Sequence, residues 1–126
     1  MLFAAITQNG RVVKIPVRAD GSAGAPELLV QSDALVGIDG IEVDAKGNPY
    51  FANNFANAIQ RIRMDDLAVE AILSEGLSAP ANVAFDRTGK AIYVANLSTS
   101  AGFPQPYAPA LVAASFSLPL VSCVAF

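Results

Sequence analysis

The chain has 126 residues, a net charge of −3, 53% hydrophobic and 15% charged residues, no histidine and one cysteine. This length holds one domain or part of one. The composition excludes imidazole catalysis, His-ligated zinc, an intrachain disulfide and a multi-cysteine metal centre, and the absence of a basic cluster argues against a nucleic-acid partner. Met1 to Ile6 is apolar but lacks the basic region and the length of a signal peptide, and it reads as a strand from about Phe3. Thr7-Gln8-Asn9-Gly10 is a turn ending in a strong hairpin dipeptide. Arg11 to Val17 alternates, with Val13, Ile15 and Val17 on one face and Val12 and Lys14 on the other. Arg18 to Pro26 is a loop, and Glu27 to Gln31 is a strand.

Gly40 to Ala45 is the next alternating strand, with Ile41 and Val43 on one face and Glu42 and Asp44 on the other. Lys46-Gly47-Asn48 turns the chain, and Tyr50 to Ala52 runs back. Strands follow at Ala58 to Arg63, Val69 to Leu73, Asn82 to Asp86, Ile92 to Ala95 and Leu111 to Ser117. Between the last two lies a loop ending in the Pro-rich run Gly102 to Pro109. No charged residue follows Lys90, and Pro109 to Phe126 has the length of a membrane span. Pro119 and the serines at 115, 117 and 122 weaken that reading, so buried strands or an exposed apolar tail over 118–126 are expected instead. No segment has helical periodicity.

The chain also repeats itself. Asp39 to Asn53 recurs as Ala81 to Asn96, at a spacing of 42 residues that becomes 43 after one insertion. Val12 to Ile15 matches Ile59 to Ile62 at a spacing of 47. A period in the forties with about four short strands per unit is the mark of propeller blades. The expected fold is all-β: about three four-stranded antiparallel blades over residues 1–117, an incomplete β-propeller. Two outer blade faces would be uncovered. Either the chain is a piece of a longer product, which is the favoured expectation, or copies associate through those faces.

At Asp39-Gly40-Ile41, Asp44 to Asn48 and Tyr50-Phe51-Ala52, the chain resembles the gluconolactonase/senescence-marker-protein (regucalcin) family. The similarity extends over roughly residues 3 to 117, including Gly10 to Val17 and Asp20-Gly21-Ser22. It implies a six-bladed propeller with an axial divalent metal, usually calcium, and hydrolysis of a small lactone or ester. It implies that Asp39 holds the metal and takes part in proton transfer. Asn82 stands one residue later in the next repeat and is a weaker candidate ligand. The family's other ligands, a glutamate and an asparagine, have no counterpart in this chain. Without the resemblance, Asp39 before a glycine is more often a turn-capping residue. The alternative function is a non-catalytic propeller that presents loops such as Ser98 to Pro109 to a partner. Asp44 to Asn48 has a superficial calcium-loop look but lacks EF-hand spacing, and a turn is expected there. Asn53, Asn54, Asn57 and Asn96 read as strand-end and turn residues, and Cys123 as a small apolar residue. Compartment, substrate and metal are not given by the sequence.

Overall fold

The computed structural model describes residues 1–97 and the backbone of two further strands, 110–117 and 120–125. The strands are β1 (Leu2–Ile6), β2 (Arg11–Ile15), β3 (Glu27–Gln31), β4 (Ile38–Val43), β5 (Pro49–Asn53), β6 (Ala58–Ile62), β7 (Val69–Leu73), β8 (Pro80–Phe85), β9 (Ala91–Asn96), β10 (Ala110–Ser117) and β11 (Leu120–Ala125). They form three antiparallel sheets, ordered β1-β2-β3, β4-β5-β6-β7 and β8-β9-β10-β11. The described residues contain no α-helix, only two short 3-10 turns at Thr7–Asn9 and Asp33–Leu35. Each sheet follows the chain from its inner to its outer edge, as a propeller blade does.

The first sheet holds three strands where four were expected. Its register says which three. Phe3 pairs with Lys14 and Ala5 with Val12, as Tyr50 pairs with Arg61 and Ala52 with Ile59. So β1 and β2 correspond to β5 and β6, the second and third strands of the next blade. The turns between them correspond too: Gly10 has φ 58° and Asn57 has φ 51°. Left-handed backbone favours Gly and, next, Asn. The ion pair across the third and fourth strands also repeats, as Lys14–Glu27 at 3.1 Å and Arg61–Glu70.

Two apolar layers hold the sheets together. Between the first and second sheets, Val12, Leu35, Ile38, Phe51 and Ile62 are fully buried, with Phe3, Ala5, Val30 and Ile41 packed on them. Between the second and third, Tyr50, Ala52, Ile59, Val83, Ile92 and Val94 form the layer. The second sheet is thus covered on both faces, and all of β5 is buried. A strand buried on both sides need not alternate.

Alternation leaves open which face of β2 is buried. It is the face of Val12 rather than that of Val13 and Ile15, because the described residues cover the first sheet on the Val12 side only. Val43 is 37% exposed, since it stands beside the turn rather than between sheets. The strand expected through Val17 ends at Ile15, because Pro16 has no N–H to donate, and Val17 keeps only an isolated bridge to Ala23. Leu120–Ala125, expected as part of an apolar tail, pairs with β10 as the outer strand of the third sheet.

Candidate functional site

The innermost strands β4 and β8 lie side by side, and they begin at the same end of the sheets. That end also carries the connections 32–37, 54–57 and 74–79. Asparagines stitch it together. Asn53 is fully buried: its Oδ1 accepts from the backbone N–H of Phe55 at 3.0 Å and of Ala56 at 2.9 Å. Its Nδ2 donates to Gln60 Oε1 at 2.8 Å and to the Ala34 carbonyl at 3.2 Å. Asn57 donates to the Leu77 carbonyl at 2.7 Å and accepts from the Ala79 N–H at 2.8 Å, tying the second sheet to the third. Asn96 is buried and accepts from the Ser78 N–H at 3.2 Å. These side chains satisfy backbone groups that the turns leave without ladder partners.

Asp39 stands in β4 with its side chain exposed at this end. Its nearest polar neighbour is Asn54, whose Nδ2 lies 3.5 Å from Asp39 Oδ2 and donates at 2.8 Å to the Pro80 carbonyl. Asn82 is exposed in β8, and its Oδ1 already accepts from the Val83 N–H at 2.9 Å. Gly40 brings the two strands together, because it has no Cβ to strike the Asn82 backbone. So the structure places Asp39 and Asn82 on neighbouring inner strands, as the repeat requires. It does not make Asp39 a turn-cap, since no turn N–H donates to its carboxylate among the described residues.

These groups do not compose a calcium site. Calcium takes 6–8 oxygens. Asp39 offers one carboxylate, Asn82 offers an oxygen already engaged, and Asn54 turns an N–H donor toward Asp39. Among the described residues, no three His, Cys, Asp or Glu side chains gather.

The same end carries an aromatic group that sequence reading passed over. Phe55 is 78% exposed, yet its backbone is fixed by Asn53 and it stands over Gly37, whose absent Cβ leaves room for it. Only the unexplained aromatic within Asn53 to Asn57 pointed to it. The loop from Ser98 to Pro109, the other expected binding element, lies outside the described residues.

The opposite end of the sheets holds a cleft of about 790 Å³ between the turns 44–48 and 86–90. Its walls include Tyr50 and Phe85, set edge to face with ring centroids 4.9 Å apart, and Arg61 stands over the Tyr50 ring at 5.7 Å. Asp44 and Asp86 make its turns. Asp44 Oδ1 accepts from the N–H groups of Lys46 and Asn48 at 2.8 and 2.9 Å. Asp86 Oδ1 accepts from those of Lys90 and Ala91 at 2.8 and 3.1 Å. Burial acts to raise Asp44, but hydrogen bonds from Asn48 and Lys46 and the charge of Arg61 hold it below the usual carboxylate value. The Thr88 hydroxyl and the Ala91 N–H pull Asp86 down to about 2. Both aspartates are turn-formers: a turn was expected at Asp44 to Asn48, and Asp86, read as the end of a strand, plays the same part in the next repeat.

No described protein family matches the sequence, and no curated protein does. Among solved structures, the chain is similar to one in a crystal structure of a nidogen/laminin complex, with a TM-score of 0.72 and 17% identity over 97% of this chain. The match spans 42% of that solved chain. A likeness at this identity speaks for the fold, and with three successive inner-to-outer sheets it makes this chain a set of β-propeller blades.

Proposed function

We propose that the chain is a binding module whose Asp39–Phe55 end docks a protein partner. The observation that carries this reading is Phe55, 78% exposed on a connection that buried Asn53 holds rigid. A large aromatic shown to solvent on a fixed backbone has only its own side-chain rotation to lose on docking, and aromatics are enriched among interface anchors. Asp39 and Asn82, exposed at the same end of the sheets, supply polar groups for a rim. The structural neighbour was itself solved within a protein–protein complex, which favours the same class of role. The test is side-by-side retention by immobilised native, Phe55→Ala and Asp39→Ala chains, each checked for an unchanged melt. A protein held by the native chain and lost at least tenfold with Phe55→Ala supports the reading. Identical profiles, or no retention by the native chain, overturn it.

A second reading keeps the regucalcin-type resemblance: a calcium-dependent hydrolase of small lactones or esters. It is favoured by Asp39 and Asn82 arriving on adjacent inner strands across Gly40. It needs oxygens from outside the described residues. Calcium at about 100 times its Kd would then add about 2.7 kcal/mol to stability, and Asp39→Ala would remove the gain. An unchanged melting temperature with calcium rejects this reading.

A further inference from the structure

We propose that the partner docking at the Asp39–Phe55 end is a basic protein segment, which sets arginine or lysine side chains against Asp39 and the Phe55 ring; this rests on that end being a docking surface, as proposed above. The charges of the chain separate along the sheets. The connections at the cleft end, 16–26, 44–48, 63–68 and 86–90, carry Arg18, Lys46, Arg63, Arg87 and Lys90 and as many aspartates. That end is balanced. The opposite end, made of the connections 32–37, 54–57 and 74–79 and the start of β4, carries Asp33, Asp39 and Glu75 and no cation. Arg11, the first residue of β2, also lies toward that end. It alternates with Val12, which faces the second sheet, so Arg11 stands on the face turned away from it. No charged side chain follows Lys90, so the rest of the chain adds none. Asp33, Asp39 and Glu75 are all exposed. Asp33 and Asp39 make no ion pair among the described residues.

The aromatic group stands in the same field. Phe55 follows β5 of the second sheet, which is covered on both faces. Its exposure is that of a turn above two filled layers, not of an uncovered sheet. A Cβ built on Gly37 would lie 2.6 Å from Phe55 Cβ and Cγ, so the base of the ring sits on the stretch of backbone that runs from Asp33 to Asp39. Asn54 holds that contact in place: its N–H donates to the Gly37 carbonyl at 2.9 Å, and its Nδ2 lies 3.5 Å from Asp39 Oδ2. The negative face of an aromatic ring attracts a cation, and a free carboxylate takes a guanidinium or ammonium group through a charge-assisted hydrogen bond. An end of one sign with no cation on it steers a basic partner inward. An acidic segment would meet repulsion from three carboxylates. A wholly apolar one would strip water from Asp39 without replacing it. The basic segment is the occupant that the charges complement.

The test is selection of a displayed library of random peptides on the immobilised native chain at low salt. The enriched peptides are then synthesised and titrated against the native, Asp39→Asn and Phe55→Ala chains, each checked by circular dichroism. Enrichment in arginine and lysine is expected. Asp39→Asn is expected to weaken those peptides about tenfold, the scale of one lost charge-assisted hydrogen bond, and Phe55→Ala by at least as much. Binding is also expected to fall as salt rises. Neutral or acidic peptides that still need Phe55 overturn the basic partner and leave the docking surface standing. Basic peptides indifferent to Asp39→Asn overturn the basic partner at this end, and indifference to Phe55→Ala as well overturns the docking surface with it. No enrichment at all also overturns the proposal.

Discussion

A Cβ built on Gly40 would stand 2.6 Å from the Cα of Asn82 and 2.7 Å from the carbonyl oxygen of Ala81. The two inner strands thus approach to a distance that only glycine allows, and that approach brings Asp39 and Asn82 into one neighbourhood. Gly40→Ala must push β4 and β8 apart. The expected loss is about 1–3 kcal/mol, the usual cost of overpacking, read as a lower urea midpoint. An unchanged midpoint would mean the strands separate freely.

Asn53 is expected to be the most costly polar side chain to remove. Its loss takes the partner from the half-buried N–H groups of Phe55 and Ala56 and from buried Gln60 Oε1, while the Ala34 carbonyl keeps its bond from Gln60 Nε2 at 2.9 Å. Unsatisfied buried groups cost about 1–3 kcal/mol, so Asn53→Ala is expected to lose about 3 kcal/mol. Chemical denaturation measures it, and a loss under about 1 kcal/mol would show that water replaces the side chain.

Asp39→Ala is expected to leave stability within about 0.5 kcal/mol, as surface changes generally do. Asp39 is exposed, and among the described residues its hydrogen-bonding neighbour, Asn54, lies at 3.5 Å. This is what frees it for a partner or a metal. A drop of the Asn53 size would make it a structural residue instead.

Acid should loosen the turns first. Asp86 lies at about 2 against an ordinary 3.8, and Asp44 is shifted in the same direction. A folded-state value below the unfolded one means the native chain binds fewer protons. The contribution of Asp86 is therefore complete above about pH 4 and fades as pH falls toward 2. Urea midpoints between pH 2 and 5 should slope upward with pH, and Asp86→Asn should flatten that slope. An unaltered slope would assign it to other carboxylates.

The strands and the blade repeat were legible because alternation and spacing are local properties of a sequence. The turn at Asp44 was legible for the same reason. Which face of β2 is buried was not: Val12 and Val13 are the same residue type, and only the placement of the second sheet chooses between them. The burial of Asn53 was hidden because an asparagine at a strand end is ordinary, while its four partners are spread from Ala34 to Gln60. Asp39 and Asn82 were legible as a pair from the repeat alone. The exposure of Phe55 was not, since apolar residues flanked by asparagines say little about where a ring points. The missing first-strand counterpart in the first sheet showed only in the register.

The one residue by which the second repeat outgrows the first has a definite address. Asp44 closes its turn with a bond from its N–H to the carbonyl of Asn48, while Asp86 closes its own to Ala91, one position farther on. The sheets on either side keep their pairing. Gly47 and Gly89, at the tips, have nothing within 4 Å of where a side chain would begin. Nature has thus already tried a lengthened linker at this spot, and the blade absorbed it. An epitope or a fluorescent reporter grafted after Gly89 would sit at the opposite end of the sheets from Asp39 and Phe55, giving a handle for labelling that leaves the proposed docking end untouched.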